Sequence, residues 1–92
     1  MNNLLEQANN LEKSLWKYFD TATYTFPWYT YLSICIDNTV IQIWLSEVYK
    51  GTIEFTIDGD RSGKVYREPA SALDINSLVA ILQIIKKEYG KL

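Results

Sequence analysis

Ninety-two residues with a net charge of −2, 48% of them hydrophobic and 22% charged, have the make-up of one globular domain, residues 1–92, built round a single core. No apolar run nears the roughly 20 residues of a membrane-spanning helix, and "MNNLLEQANNLEKSLW" lacks the basic and apolar regions of a signal peptide, so a cytoplasmic, unprocessed product starting at Met1 is expected. The clustered positive charges are Lys86 and Lys87, with Glu88 beside them, which argues against the basic stripe on which direct nucleic-acid binding depends.

The first predicted element is a helix over residues 4–19. Leu4, Ala8, Leu11, Leu15 and Tyr18 or Phe19 recur at steps of three and four, with Glu6, Glu12, Lys13 and Lys17 mostly off that stripe. Asp20 and the threonines after it stop the helix. From Tyr24 the apolar period falls to two. Tyr24, Phe26, Trp28, Thr30, Leu32, Ile34 and Ile36 predict one strand with one apolar face, and Pro27 confines it to an edge or a bulge. Asp37 and Asn38 then tolerate the positive φ of a two-residue hairpin turn. Pairing across that turn sets Ile36 opposite Thr39, Ile34 opposite Ile41 and Leu32 opposite Ile43. A slip of one residue would divide these apolar residues between the two faces.

The next connection reads as the three-residue loop "YKG", with Gly51 left-handed, Val48 opposite Thr52, Leu45 opposite Phe55 and Ile43 opposite Ile57. Leu32, Ile34, Ile36, Ile41, Ile43, Leu45, Ile53, Phe55 and Ile57 then share the inner face. A short fourth strand fits at Lys64 to Arg67. In "DINSLVAILQIIKKEYGKL", Asp74 is an N-cap, and Ile75, Leu78, Leu82, Ile85 and Tyr89 form the apolar stripe. Lysines lie near the end and Gly90 closes the helix. The expected fold is α+β in the order α-β-β-β-α: a three-stranded antiparallel meander, with that short fourth strand, packed by two helices. Double-stranded-RNA-binding domains share this order, but the basic cluster at the start of their second helix is missing here.

"DGDRSGKVYREP", Asp58 to Pro69, resembles the front of an EF-hand-like calcium loop. Asp58, Asp60 and Ser62 stand at the first, third and fifth positions, Gly63 at the sixth and Val65 at the eighth. The twelfth position, which should be a bidentate glutamate, is Pro69, and "TIEFTI" before the loop reads as a strand. The stretch is therefore read as a polar turn, with no metal or other cofactor expected.

No histidine is present, so imidazole bases, triads and ligands are absent. Cys35, the single cysteine, forms no internal disulfide, has no usual base to activate it and is expected to be a small packing residue. Glu54 and Asp58 share a strand face but are too far apart to couple tightly, and no phosphate-binding or dinucleotide motif occurs. The chain is not expected to be an enzyme.

The positive feature is the second sheet face, with Tyr29, Tyr31, Ser33 and Cys35, then Val40, Gln42, Trp44 and Ser46, then Glu54, Thr56 and Asp58. Tyr31 should stand opposite Trp44. If both helices cover the isoleucine face, these aromatics are left beside water, where Tyr and Trp serve as interface anchors. The expected function is a small protein-binding module. An acidic domain rich in Asn, Lys, Ile and Tyr suits phage or mobile-element inhibitors of host defence nucleases, of anti-CRISPR or anti-restriction type, and immunity proteins. The partner-binding candidates are Tyr29, Tyr31 and Trp44, with Glu54, Asp58, Asp60 and Glu68 placed to oppose a basic groove. The alternatives are a homodimeric assembly subunit, joined by the outer face or an edge strand, and a weak metal- or small-ligand-binding domain using the Asp58 loop.

Overall fold

In the computed structural model, which describes residues 3–89, helix α1 (Asn3–Leu15) leads into five strands and helix α2 (Ile75–Tyr89) closes the order. The strands are β1 (Asp20–Phe26), β2 (Tyr29–Ile36), β3 (Thr39–Trp44), β4 (Thr52–Ile57) and β5 (Tyr66–Pro69). They form one antiparallel sheet in the order β1-β2-β3-β4-β5, so every neighbour in the sheet is a neighbour in sequence. The α+β class and the helix-covered meander are as the sequence predicts. Met1, the side chain of Leu4 and the helix closure expected at Gly90 lie outside the described residues.

The strand expected to run unbroken from Tyr24 to Ile36 is two strands. Pro27 and Trp28 form a two-residue turn, with Phe26 paired to Tyr29, Tyr24 to Tyr31 and Thr21 to Ile34. Crossing such a turn exchanges the faces, because residues directly opposite one another share a side. Tyr24 and Phe26 therefore lie with Tyr29 and Tyr31 on the outer face, not with Leu32 and Ile34, and Trp28 sits at the turn. Thr21, Thr23 and Thr25 take the inner positions on β1.

The β2–β3 turn forms as predicted, with Asp37 at φ 47° and Asn38 at φ 69° and all three expected pairs in place. The β3–β4 register differs from the expectation. Ile43 pairs with Phe55 and Ile41 with Ile57. The connection is longer than "YKG" and contains a 3-10 turn over Val48–Lys50, closed by Gly51 at φ 87°. Val48 packs against the core rather than facing Thr52, and the Leu45 N–H donates to the Thr30 carbonyl at 3.0 Å, continuing the β2 ladder. Each expected pairing is displaced by two residues, and a shift of two keeps every side chain on its face. The short last strand occupies Tyr66–Pro69, slightly later than Lys64 to Arg67.

Helix α1 ends at Leu15, four residues before its predicted end. The Tyr18 and Phe19 N–H groups both donate to the Leu15 carbonyl, at 2.9 and 2.8 Å, which winds up the end of the helix and turns Phe19 towards the core. Helix α1 lies against β1 and β2, α2 against β3, and the helices touch each other. The nine residues predicted for the inner face are all buried, together with Ala8, Leu15, Leu78, Leu82 and Ile85. Asp74 caps α2, its carboxylate accepting from the Ser77 N–H at 3.0 Å, and Lys86 ties α2 to the β2–β3 turn through Asp37 at 2.7 Å. Among the described residues, no helix is long and apolar enough to cross a membrane.

Candidate functional site: the uncovered aromatic face

Because both helices pack on the isoleucine face, the other face of the sheet has no layer over it among the described residues. Alternation along the strands sends Tyr24 and Phe26 from β1, Tyr29 and Tyr31 from β2, and Trp44 from β3 to this outer side. The predicted Tyr31–Trp44 pair forms, with ring centroids 4.5 Å apart. Phe26 stacks on Tyr29 at 4.8 Å and Tyr24 on Tyr31 at 5.2 Å, while Tyr29 meets Trp44 at 5.6 Å in a tilted arrangement. The five rings thus make one connected cluster in the stacked and tilted geometries that aromatic pairs prefer.

Exposure is greatest on the edge strand β1 and at the hairpin turn. Tyr31 and Trp44 are half-buried by their neighbours, whereas Tyr24 and Phe26 are 45% and 44% exposed and Trp28, at the turn, is 87% exposed. Next to that turn Phe26, Trp28, Tyr29, Ser46 and Tyr49 line a shallow groove.

A polar row borders the cluster on the β4 side. The Trp44 indole N–H donates to Thr56 Oγ1 at 2.7 Å, and Thr56 Oγ1 donates to Gln42 Oε1 at 2.9 Å. These bonds fix the indole and satisfy its polar atom within the sheet. Glu54 accepts from Arg67 Nε at 2.8 Å, so the carboxylate and guanidinium beside the row are committed to one another. The cluster therefore combines a large apolar area with little conformational freedom.

The four acidic candidates do not gather. Glu54 belongs to the outer face, and Asp58 is exposed just past the end of β4. Asp60 folds its own loop, its Oδ1 accepting from the Ser62 N–H at 3.0 Å and its Oδ2 from the Ser62 hydroxyl at 2.8 Å. Gly59 and Gly63 supply positive φ on either side, so the stretch has the geometry of an Asx turn. Glu68 pairs with Ile53 on the helix side, at the sheet edge near Ile81, Ile84 and Glu88 of α2. Among the described residues no group of three or more His, Cys, Asp or Glu side chains is placed to hold a metal ion. Cys35, expected to be a packing residue, is exposed on the outer side opposite Asp20.

Tyr24, Phe26, Trp28 and Tyr49 extend the site beyond the residues predicted for it. The signal for the first three lay in "FPWY", where a proline inside an apolar alternation marks a turn as readily as a bulge. No protein-family model, curated protein or solved structure matches this chain.

Proposed function

We propose that the chain is a non-enzymatic protein-binding module that presents the Tyr24–Phe26–Tyr29–Tyr31–Trp44 face to a protein partner. The observation that carries this reading is the connected ring cluster on a sheet face that neither helix covers. Rigid aromatic area beside a polar row, with few side-chain rotors left to order, is the make-up of an interface centre. Stacked nucleic-acid bases would want the same rings with cations between them, yet Arg67, the basic side chain beside this face, is held by Glu54 and the net charge is −2.

An inhibitory role of the anti-CRISPR, anti-restriction or immunity type is one use of such a module and belongs to this proposal. Glu54 on the outer face, Asp58 and Asp60 in the turn after β4 and Glu68 on the helix side form no single acidic surface, so the proposal rests on the rings. The test measures stability and binding on the same variants, Tyr29→Ala and Phe26→Ala, titrated against a protein that copurifies with the wild-type chain. Each should lose roughly 0.2–1 kcal/mol of folding stability, the worth of a cross-strand pair. Each should lose about 2 kcal/mol of binding, near 30-fold in Kd. Binding unchanged in both variants would remove the interface from this face.

A further inference from the structure

The two edges of the sheet, β1 and β5, are built differently. Strand β5 is four residues long, carries Arg67 and Glu68 and ends at Pro69, features that discourage further pairing. Strand β1 is seven residues long, "DTATYTF", with no charge after Asp20 and no proline within it.

The direction of its backbone groups follows from its neighbour. The Thr30 carbonyl accepts from the Leu45 N–H, so Thr30 turns its backbone towards β3 and away from β1. In an antiparallel ladder the N–H and C=O of one residue point to the same side, and that side alternates along the strand. Thr25, paired with Thr30, therefore points both groups away from β2, and so do Thr23 and Thr21. These three threonines form an outward row at the sheet edge. One of its positions is closed, because the Trp16 indole N–H donates to the Thr21 carbonyl at 2.9 Å.

We propose that this edge pairs antiparallel with the β1 edge of a second copy of the chain, Thr23 of each copy lying opposite Thr25 of the other. In that register the outward N–H and carbonyl groups of both threonines are used in both copies. Thr21 then lies opposite Pro27, so the carbonyl already taken by Trp16 meets a residue with no N–H to give. Other registers that overlap these threonines either require the Thr21 carbonyl or set Thr23 or Thr25 opposite Pro27, leaving a carbonyl without its donor. This fit is particular to a copy of the same strand; an unrelated peptide has no reason to carry proline there. Tyr24 faces its counterpart on the outer side at a non-hydrogen-bonded site, and Asp20 lies opposite Trp28, so no like charges oppose. The inference uses the strand edge alone and stands apart from the proposed role of the aromatic face.

Sedimentation of the full chain from about 1 µM to about 0.1 mM, a range that detects micromolar association, should show a dimer. Thr25→Pro should halve the mass while circular dichroism still melts as a folded protein, because the N–H it removes faces outward. In a Cys35→Ser background, Tyr24→Cys should form an intermolecular disulfide under mild oxidation, since opposed Cα atoms at such a site lie about 4.5 Å apart. Ala22→Cys should not, because it would lie opposite Phe26. A chain that stays monomeric throughout, with no linked dimer from Tyr24→Cys, overturns the proposal. A dimer that survives in folded Thr25→Pro, or that links through Ala22→Cys instead, overturns it equally.

Discussion

Asp74 and Trp16 both hold a neighbouring stretch of backbone through a side-chain hydrogen bond, yet only one of them could be read in advance. A carboxylate just before an apolar run of period 3.6 marks a helix start, and the Ser77 N–H meets it at 3.0 Å. Trp16 reaches the Thr21 carbonyl only because the chain turns between α1 and β1, and no spacing rule encodes that turn. The Asp74 cap has a pH signature. The backbone bond from Ser77 is the main cause holding its carboxyl below the ordinary value, with the Ser77 hydroxyl next. The folded state then binds the proton less tightly than the unfolded chain. The stabilisation is fully present above the ordinary carboxylate range and is lost as pH falls through the lowered folded value. Asp74→Ala should lower the melting temperature near neutral pH, while Asp74→Asn keeps the cap without its charge. The difference between wild type and Asp74→Asn should narrow in melts taken below about pH 3, under the ordinary Asp range; a pH-independent difference would show that the charge contributes nothing.

Among the elements, α2 and the β2–β3 hairpin were the most legible, since capping, periodicity and turn chemistry agree on each. The β1–β2 hairpin was not. Even-numbered residues from Tyr24 to Ile36 keep their apolar alternation straight through Pro27 and Trp28, and a two-residue turn exchanges faces without breaking that rhythm. Period-two patterning fixes which residues share a side but cannot separate registers that differ by two, which is why β3 and β4 were displaced. A pair of charge substitutions tests the result. Ile43→Asp should abolish the folded circular dichroism spectrum, because an unpaired charge in that fully buried site costs several kcal/mol, on the order of the whole stability. Tyr24→Asp should leave a cooperative melt, since Tyr24 is on the outer face; unfolding there would restore the single long strand. The core half of the sheet was thus readable, while the aromatic site was readable only where it lay on β2 and β3.

For the whole molecule, the division is between a face sealed by two helices and a face left bare, with the Asp58–Gly63 turn at one end of the sheet. Because both Asp60 carboxylate oxygens already accept bonds from Ser62, that turn should need no ion to keep its shape. Millimolar calcium against a chelator should move the melting temperature by no more than about a degree, since a ligand stabilises only in proportion to its occupancy of the folded state. A rise of several degrees, lost when Asp58→Ala and Asp60→Ala are combined, would make the turn a cation site after all.

The unbroken order β1-β2-β3-β4-β5 also bears on how quickly the molecule is made. Each hairpin closes over a short stretch of chain, so little loop entropy is lost before pairing begins, and low contact order goes with rapid folding. The contact between α1 and α2 is the exception, because it joins opposite ends of the sequence. On a ribosome the sheet can zip strand by strand as residues emerge, but the isoleucine face stays half-roofed until α2 has been synthesised. Emergence and docking of α2, rather than any strand pairing, is then the step that completes the core.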